Sequence, residues 1–166
     1  ILYREDDIEG ILEDYAYLIN AVITSHYVLD QDIEPAVELF ECAIREFGEE
    51  LVDKGGISQP FDTPNFGAIP MMSLNAVHLS HLTGEEKFRD IAGKNLRRFA
   101  GLEHNLYSAG YLLALRTYLN PVVVESSEKR YIRYISPEVI FIDGNNVVCT
   151  GKTCHPVDKI KEVVDG

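Results

Sequence analysis

The stretch INAVITSH (Ile19 to His26) returns as LNAVHLSH (Leu74 to His81), 55 residues further along, with five of its eight positions unchanged. In each copy a short acidic turn and a second amphipathic segment follow, and these end in AIREF (43–47) and NLRRF (95–99). Helical segments that recur with a partner at a fixed spacing are typical of stacked hairpins, in a solenoid or a closed ring. The repeat therefore predicts a body built of helical hairpins.

Hydrophobic periodicity extends this pattern to both sides of the repeat. Apolar residues recur at spacings of three and four over five segments, which predicts helices over 8–29, 33–51, 70–82, 85–99 and 104–119. Pro35 fits the first turn of the second helix, and Asn120-Pro121 ends the fifth. Five helices make two and a half hairpins, so we expect the open end of the stack to need a cap, a partner or further chain.

After Pro121 the sequence changes to short β-branched runs. PVVVE (121–125), VIFID (139–143) and NVVCT (146–150) predict strands, with a turn at 143–146 and a closing helix over about 157–164. We therefore expect a mainly α fold of two parts. Residues 1–120 form a helical-hairpin domain, a partial α/α toroid, and residues 121–166 form a small α+β tail.

Composition limits the classes of function. The chain has 166 residues, 46% of them hydrophobic, and a net charge of −12, which is typical of a globular protein and disfavours binding to nucleic acid or anionic membranes. It has no apolar run of about 20 residues, and we expect neither a membrane helix nor a signal peptide. Its three cysteines, an odd number, do not suggest a secreted disulfide scaffold. The sequence therefore predicts a cytoplasmic protein without a membrane span.

The run VVCTGKTCHP (147–156) brings two cysteines and a histidine together. A structural zinc site usually takes C-x2-C pairs, whereas Cys149 and Cys154 have four residues between them and only His155 beside them. A redox pair is an alternative, because a tight turn can bring the two sulfurs close. A turn from a strand into a helix, without chemistry, is the reading that the spacing favours most. All three remain open on sequence alone.

Three residues are the candidates for catalysis. Asp14 and Tyr15 lie on the first helix, and the inner helices of α/α rings point polar side chains into a central cavity. Asp62 lies in the loop QPFDTPNFG, and long loops between hairpins often carry substrate contacts. A solvated helix face is the alternative for the first two residues, and a surface crossover is the alternative for Asp62.

The histidines and the repeated asparagine are better explained by structure. His26, His81 and Asn75 recur through the repeat, so we expect turn capping and satisfied core contacts for them. His78 and His104 are single, and nothing in the sequence favours a ligand role for either. Phosphate-binding loops, nucleophile elbows, zinc-binding helices and basic-aromatic stripes are all missing. We therefore predict no cofactor, no metal and no nucleic acid partner.

Taken together, GILEDYAYLINAV, LTGEEKFRDIAGKNLRRFA and the cysteine tail resemble the C-terminal half of YyaL-like proteins, thioredoxin-domain proteins related to spermatogenesis-associated protein. Gly10, Asp14, Tyr15 and Ala16 match that family's G-F-L-D-D-Y-A segment. The cysteine pair and Pro156 match its Cys-x4-Cys-x-Pro tail. The resemblance spans nearly the whole chain, in the order of the family.

This resemblance implies part of an (α/α)6 toroid, of the six-hairpin glycosidase or N-acylglucosamine 2-epimerase type, and a small sugar-like ligand. The chain departs from the family's D-x-x-x-P-S-G-N pattern, because Phe66 replaces the acid and Met71, Met72 and Ser73 replace S-G-N. Two other functions stay open. One is a non-enzymatic helical module that completes its core with another chain or with itself, for which Met71 and Met72 suit an adaptable apolar contact. The other is thiol redox through Cys149 and Cys154.

Overall fold

A computed structural model describes residues 2–5, 8–53, 56, 60–62, 65–101 and 106–165. A small ribbon of β1 (Tyr3–Glu5) and β2 (Ile8–Glu9) precedes five main helices. The helices are α1 (Leu12–Leu29), α2 (Glu34–Phe47), α3 (Ala68–Thr83), α4 (Glu86–Arg98) and α5 (Ala109–Leu119). The C-terminal part contains β3 (Val122–Ser126), β4 (Val139–Ile142), β5 (Asn145–Thr150), β6 (Thr153–Pro156) and α6 (Ile160–Asp165). The prediction of a mainly helical protein with a small α+β tail is confirmed.

Helix α3 is the centre of the helical part. Residues 69 to 79 are buried without interruption, as expected for a helix that is covered on all sides. It packs against α1, α4 and α5, whereas α2 packs mainly on α1. The helices α1, α3 and α5 therefore lie in a row, and α2 and α4 lie on the outside of it.

The two copies of the repeat contact each other directly. Asn20 Nδ2 in α1 donates to Asn75 Oδ1 in α3 over 3.2 Å, and Asn75 Nδ2 donates to the Ala16 carbonyl over 2.7 Å. Asn75 is fully buried, so these bonds satisfy an amide that would otherwise be costly inside the core. The expectation of satisfied core contacts is confirmed for Asn75.

The first helix begins four residues later than its periodicity predicts. Ile8–Glu9 pair with Tyr3–Glu5 instead, and the Gly10 amide donates to the Leu2 carbonyl over 2.7 Å. A Cβ at Gly10 would lie 3.1 Å from that oxygen, a tighter contact than most side chains make, so glycine favours the close approach of the two segments. The predicted start of the fifth helix at His104 lies outside the described residues. A turn of 3-10 helix over Leu106–Ser108 leads into α5.

The four C-terminal strands form one sheet in the order β4-β3-β5-β6. Strands β3 and β4 are parallel, and the other two pairs are antiparallel. The predicted turn after β4 is present, but the strands that it joins are not neighbours, because Asp143-Gly144 crosses the end of β3. A Cβ at Gly144 would lie 2.8 Å from the Glu125 Cβ, which explains glycine at this crossing.

The sheet packs onto the helices through a buried chain of polar contacts. The Tyr27 hydroxyl donates to His78 Nδ1 over 2.8 Å, and His78 Nε2 donates to the Pro137 carbonyl over 2.8 Å. A carbonyl only accepts, so the proton of the neutral ring lies on Nε2. Burial lowers the pKa of His78 to about 4, so the ring is neutral at pH 7. The Tyr27 ring also packs edge-on against Phe141, with centroids 5.5 Å apart.

The apolar core is therefore continuous across Pro121. Strand residues Val124 and Ile140 belong to the same buried cluster as helical residues such as Ile19 and Leu74. In the described part of the chain, no helix has the length and apolar character that crossing a membrane requires.

Candidate functional site

A cleft of about 380 Å³ opens where the carboxyl ends of β3 and β4 meet the C-terminal ends of α1 and α3. We call it the two-histidine cleft, because both histidines of the repeat line it. Its lining consists of His26, Tyr27, Asp30, His81, Leu82, 126–129, Ile132 and 141–143. The volume lies in the usual range for small-molecule pockets, and the carboxyl ends of parallel strands are a common place for ligands.

His26 lies in the last turn of α1 and is oriented by a backbone contact. Its Nδ1 is 2.7 Å from the Gln31 carbonyl, which only accepts, so Nδ1 carries the proton. This bond ties the residue to the turn after the helix and confirms the expectation of turn capping for His26. In the neutral ring Nε2 then keeps a free lone pair, which can accept a hydrogen bond from a ligand.

His81 is the equivalent residue of α3 and is half-buried. Burial lowers its pKa, and the nearby positive charge of Arg89 lowers it further. Among the residues that the structure describes, no hydrogen-bond partner of the ring is found. His81 is therefore a neutral imidazole at pH 7, and a polar molecule in the cleft has access to its hydrogen-bonding capacity.

Charged side chains surround the rim. Asp30 ends α1 in the left-handed conformation, with φ of 55°, and its carboxylate pairs with Lys129. Glu128 pairs with Arg130 over 2.7 Å. Asp143 is exposed directly after β4. The rim thus combines carboxylate acceptors with one ammonium donor.

The inner wall of the cleft is apolar. Tyr27 and Phe141 are both buried, and Ile132 and Ile142 complete this side. The Ser126 hydroxyl donates to Asn146 Oδ1 over 2.6 Å and accepts from the Glu128 amide over 3.1 Å, so it shapes the loop at the rim. An apolar wall with a polar rim suits a small ligand that has both a hydrophobic face and hydroxyl groups.

Asp14, a predicted catalytic residue, contacts the backbone at the start of its own helix. Its Oδ2 accepts from the Ile11 amide over 2.8 Å, which satisfies a free N–H at the start of α1. A carboxylate there also interacts favourably with the helix dipole. The structure thus gives Asp14 a capping function.

Asp62 joins two helices. Its Oδ1 accepts from the Gly67 amide over 2.8 Å and its Oδ2 accepts from the Gly110 amide over 2.9 Å, at the N-terminal ends of α3 and α5. A Cβ at Gly110 would lie only 2.5 Å from Asp62 Oδ1, so the glycine allows the carboxylate to reach the backbone. Both carboxylate oxygens are therefore engaged in linking the two helices.

Tyr15 is buried on another side of α1. Its hydroxyl accepts from the Leu2 amide over 2.7 Å and lies 3.7 Å from Cys42 Sγ, and burial raises the pKa of the phenol. It lines a groove of about 430 Å³ together with Cys42 and Arg45. Asp14, Tyr15 and Asp62 thus have three separate sets of partners, and a catalytic role for them remains a prediction.

Cys149 and Cys154 form a disulfide across the β5–β6 hairpin. A bonded sulfur is not available as a thiolate ligand, so the pairing leaves no thiolate for zinc in this state. The two sulfurs are close, as the redox alternative requires, and a redox role remains a prediction. The favoured reading, a turn from a strand directly into a helix, is wrong, because Thr153–Pro156 forms a further strand, β6, after the turn. Cys42, the free cysteine, lies beside Tyr15 in the other groove.

Sequence reasoning did not identify Asp30, Lys129 and Asp143 as site residues. They come together only because the sheet packs onto the ends of α1 and α3. One feature of the sequence could have indicated the two-histidine cleft, namely the serine-histidine pair that ends both copies of the repeat.

No protein-family model, curated protein or solved structure matches the chain. The functional argument therefore begins from the geometry and chemistry of the two-histidine cleft.

Proposed function

We propose that this chain binds a small polyhydroxylated molecule, of the size and polarity of a sugar, in the two-histidine cleft. The observation that carries the proposal is the convergence of both repeat histidines with the Asp30 and Asp143 carboxylates around a volume of about 380 Å³. A monosaccharide fits such a volume.

The chemistry of the lining supports this class of ligand. Sugar hydroxyls donate to carboxylates and to neutral imidazole nitrogens, and they accept from ammonium groups. Asp143, His26 Nε2 and Lys129 offer these functions at the rim. The less polar face of a sugar ring would lie against Phe141 and Ile142. Because the two histidines are accompanied by carboxylates, acid–base chemistry on the bound sugar is the reaction class that we propose, if the chain is an enzyme.

We further propose that the helices form an arc of an α/α toroid, as in YyaL-like proteins. The row of α1, α3 and α5 with α2 and α4 outside supports this arrangement. Salt bridges from Lys87 to Glu41 and from Lys94 to Glu49, over 2.9 Å and 3.2 Å, join α4 to α2 and to the turn that follows α2. Ser73, which stands where the family pattern has asparagine, is buried in the core.

Ring signals of the histidines in proton NMR spectra test the ligand proposal. Adding monosaccharides at millimolar concentration to the full chain should shift the signals of His26 and His81, while those of His155, outside the cleft, stay constant. The His81→Gln variant should bind the same sugar at least about ten-fold more weakly, because a buried polar contact is lost.

The His155→Gln variant is the matched control and should bind as the native chain does. Unchanged cleft signals across a panel of hexoses, pentoses and N-acetylated sugars would count against the proposal. So would equal sugar affinity of native chain and His81→Gln.

A second candidate function is a helical module that pairs with another chain. Leucines and a valine are exposed on the outer flanks of α1 and α5, namely Leu18, Val28, Leu112 and Leu119. The suggestion that Met71 and Met72 supply this contact is wrong, because both are buried, at 8% and 0% exposure. The exposed apolar residues of α1 and α5 are therefore the observation that supports this second function.

A further inference from the structure

We propose that Cys149 and Cys154 form an exchangeable disulfide that oxidises dithiols. The inference is independent of the sugar proposal, because neither cysteine lines the two-histidine cleft. We call residues 149–154 the cysteine hairpin. The strand register, the exposure and the charge of this hairpin all support an exchangeable disulfide.

The backbone holds the two sulfurs together whether or not they are bonded. Gly151-Lys152 form a two-residue turn, with Gly151 at φ of 58°, and Thr150 pairs with Thr153. The next pair is Cys149 with Cys154, and the Cα atoms are 4.0 Å apart. In a two-residue hairpin this second pair lacks mutual backbone hydrogen bonds, and its side chains therefore approach most closely. Reduction leaves two thiols facing each other in an intact hairpin.

The fold does not depend on the bond. A disulfide stabilises chiefly by restricting the unfolded chain, and more so when it closes a long loop, whereas this one joins residues five positions apart. Neither cysteine belongs to the buried core. Strand β5 is held by β3 on its other side, and Val157 and Ile160 anchor the following segment in the core. The structural contribution of the bond is therefore small.

A thiol in solution can reach the bond. Strand β6 is an edge strand whose one neighbour in the sheet is β5, and Cys154 is exposed whereas Cys149 is partly covered. The segment from Val147 to Val157 has no acidic residue, although the whole chain has a net charge of −12. Within this segment Lys152 is exposed and His155 is half-buried. The first acid beyond the hairpin is Asp158. The positive charge of Lys152 favours the thiolate forms that exchange requires.

The exchange proceeds in two balanced steps. One thiolate of the dithiol attacks Cys154 Sγ, the Cys149–Cys154 bond breaks, and Cys149 leaves as a thiolate that takes up a proton. The second thiol of the reagent then attacks, as its thiolate, the reagent's first sulfur, which is bonded to Cys154 in the mixed disulfide. This releases Cys154 as a thiolate, which takes up a proton. Two electrons and two protons pass to the protein, and the dithiol becomes a disulfide.

Counting thiols by alkylation and mass spectrometry tests the proposal on the full chain. When the unreduced chain is denatured and alkylated, one cysteine, Cys42, should be modified. After a brief treatment with dithiothreitol under native conditions, all three should be modified, with an unchanged circular dichroism spectrum. Three modified cysteines before reduction would overturn the proposal. So would a bond that resists dithiothreitol until urea is added, or loss of the fold on reduction.

Brief reaction of the oxidised chain with a monothiol, stopped with acid, tests the order of attack. Peptide mass spectrometry should find the mixed disulfide on Cys154 about ten-fold more often than on Cys149, because Cys154 is more exposed. The reverse preference would overturn the assigned attack on Cys154. Cys42→Ser is the matched control and should leave reduction of the hairpin by dithiothreitol unchanged; slower reduction in this variant contradicts an exchange confined to the hairpin.

Discussion

At the scale of single residues, His78 links the two parts of the molecule. Its ring accepts from Tyr27 of α1 and donates to the Pro137 carbonyl before β4, so one neutral imidazole bridges helices and sheet. A protonated ring would carry a hydrogen on Nδ1 and could no longer accept from the tyrosine. The bridge therefore makes the stability of the fold dependent on pH.

We predict that stability falls as the pH drops from about 6.5 to about 4. The pKa of His78 is about 4 in the folded chain, below its usual 6.5, so the unfolded chain binds more protons in this window. Stability is fully present above pH 6.5, and the loss reaches about 3 kcal/mol below pH 4. Urea unfolding at pH 7, 6, 5 and 4 measures it. The His78→Gln variant separates this loss from that of the carboxylates, and an identical pH profile of both chains contradicts the prediction.

Asp62 stabilises the starts of two helices at once. We predict that Asp62→Ala lowers the free energy of unfolding by about 2 kcal/mol, since two capped amides lose their acceptor. Asp62→Asn should cost about half as much, because one oxygen can still accept. Chemical denaturation measures both values. The control is Asp90→Asn, an exposed acid on α4, which should change stability by less than about 0.5 kcal/mol. Native stability of Asp62→Ala would show that capping is not its role.

At the scale of elements, the packing of α1 against α3 depends on the repeated asparagines. We predict that Asn75→Ala lowers the free energy of unfolding by about 2 kcal/mol, because it removes the bonds to Asn20 and to the Ala16 carbonyl. A double-mutant cycle with Asn20→Ala should give a coupling of about 1 kcal/mol. Additive effects would contradict a direct bond, and the exposed Thr24→Ala on α1 serves as the control.

Helices and strands with a strong local sequence pattern could be predicted from the sequence, but the elements against which they pack could not. The periodicity of α3 and the β-branched run of β3 locate both elements within a few residues. Ile8 also fits the helical period, but pairing with the segment 3–5 places it in a strand. The position of β3 between β4 and β5 depends on long-range packing, and so does the cleft. Asp62 was chosen as a candidate because it is a polar loop residue, and its contact with the Gly110 amide, 48 residues away, could not be predicted from the sequence.

At the scale of the whole molecule, α1 and α5 at the two ends of the helix row expose apolar side chains among the residues that the structure describes. On α5, Leu112 and Leu119 are 41% and 67% exposed, and on α1, Leu18 and Val28 are 38% and 46% exposed. Leu112 and Leu119 lie on one face of α5, since seven residues are close to two turns, and Leu18 and Val28 are about 80° apart around α1, so both lie on the same half of its surface. Apolar flanks at opposite ends favour head-to-tail association, in which α5 of one copy packs on α1 of the next.

We predict that the chain associates as its concentration rises, and that charge on either flank prevents this. Leu112→Glu with Leu119→Glu should reduce the average mass in light scattering, and so should Leu18→Glu with Val28→Glu. Each variant keeps one intact flank, so an equal mixture of the two should form pairs that do not grow further. Arg97→Glu, exposed on α4, makes the same change in net charge and should associate as the native chain does. A native chain that stays monomeric at all concentrations contradicts self-association, and an effect of the α5 variant alone would indicate a symmetric pair instead.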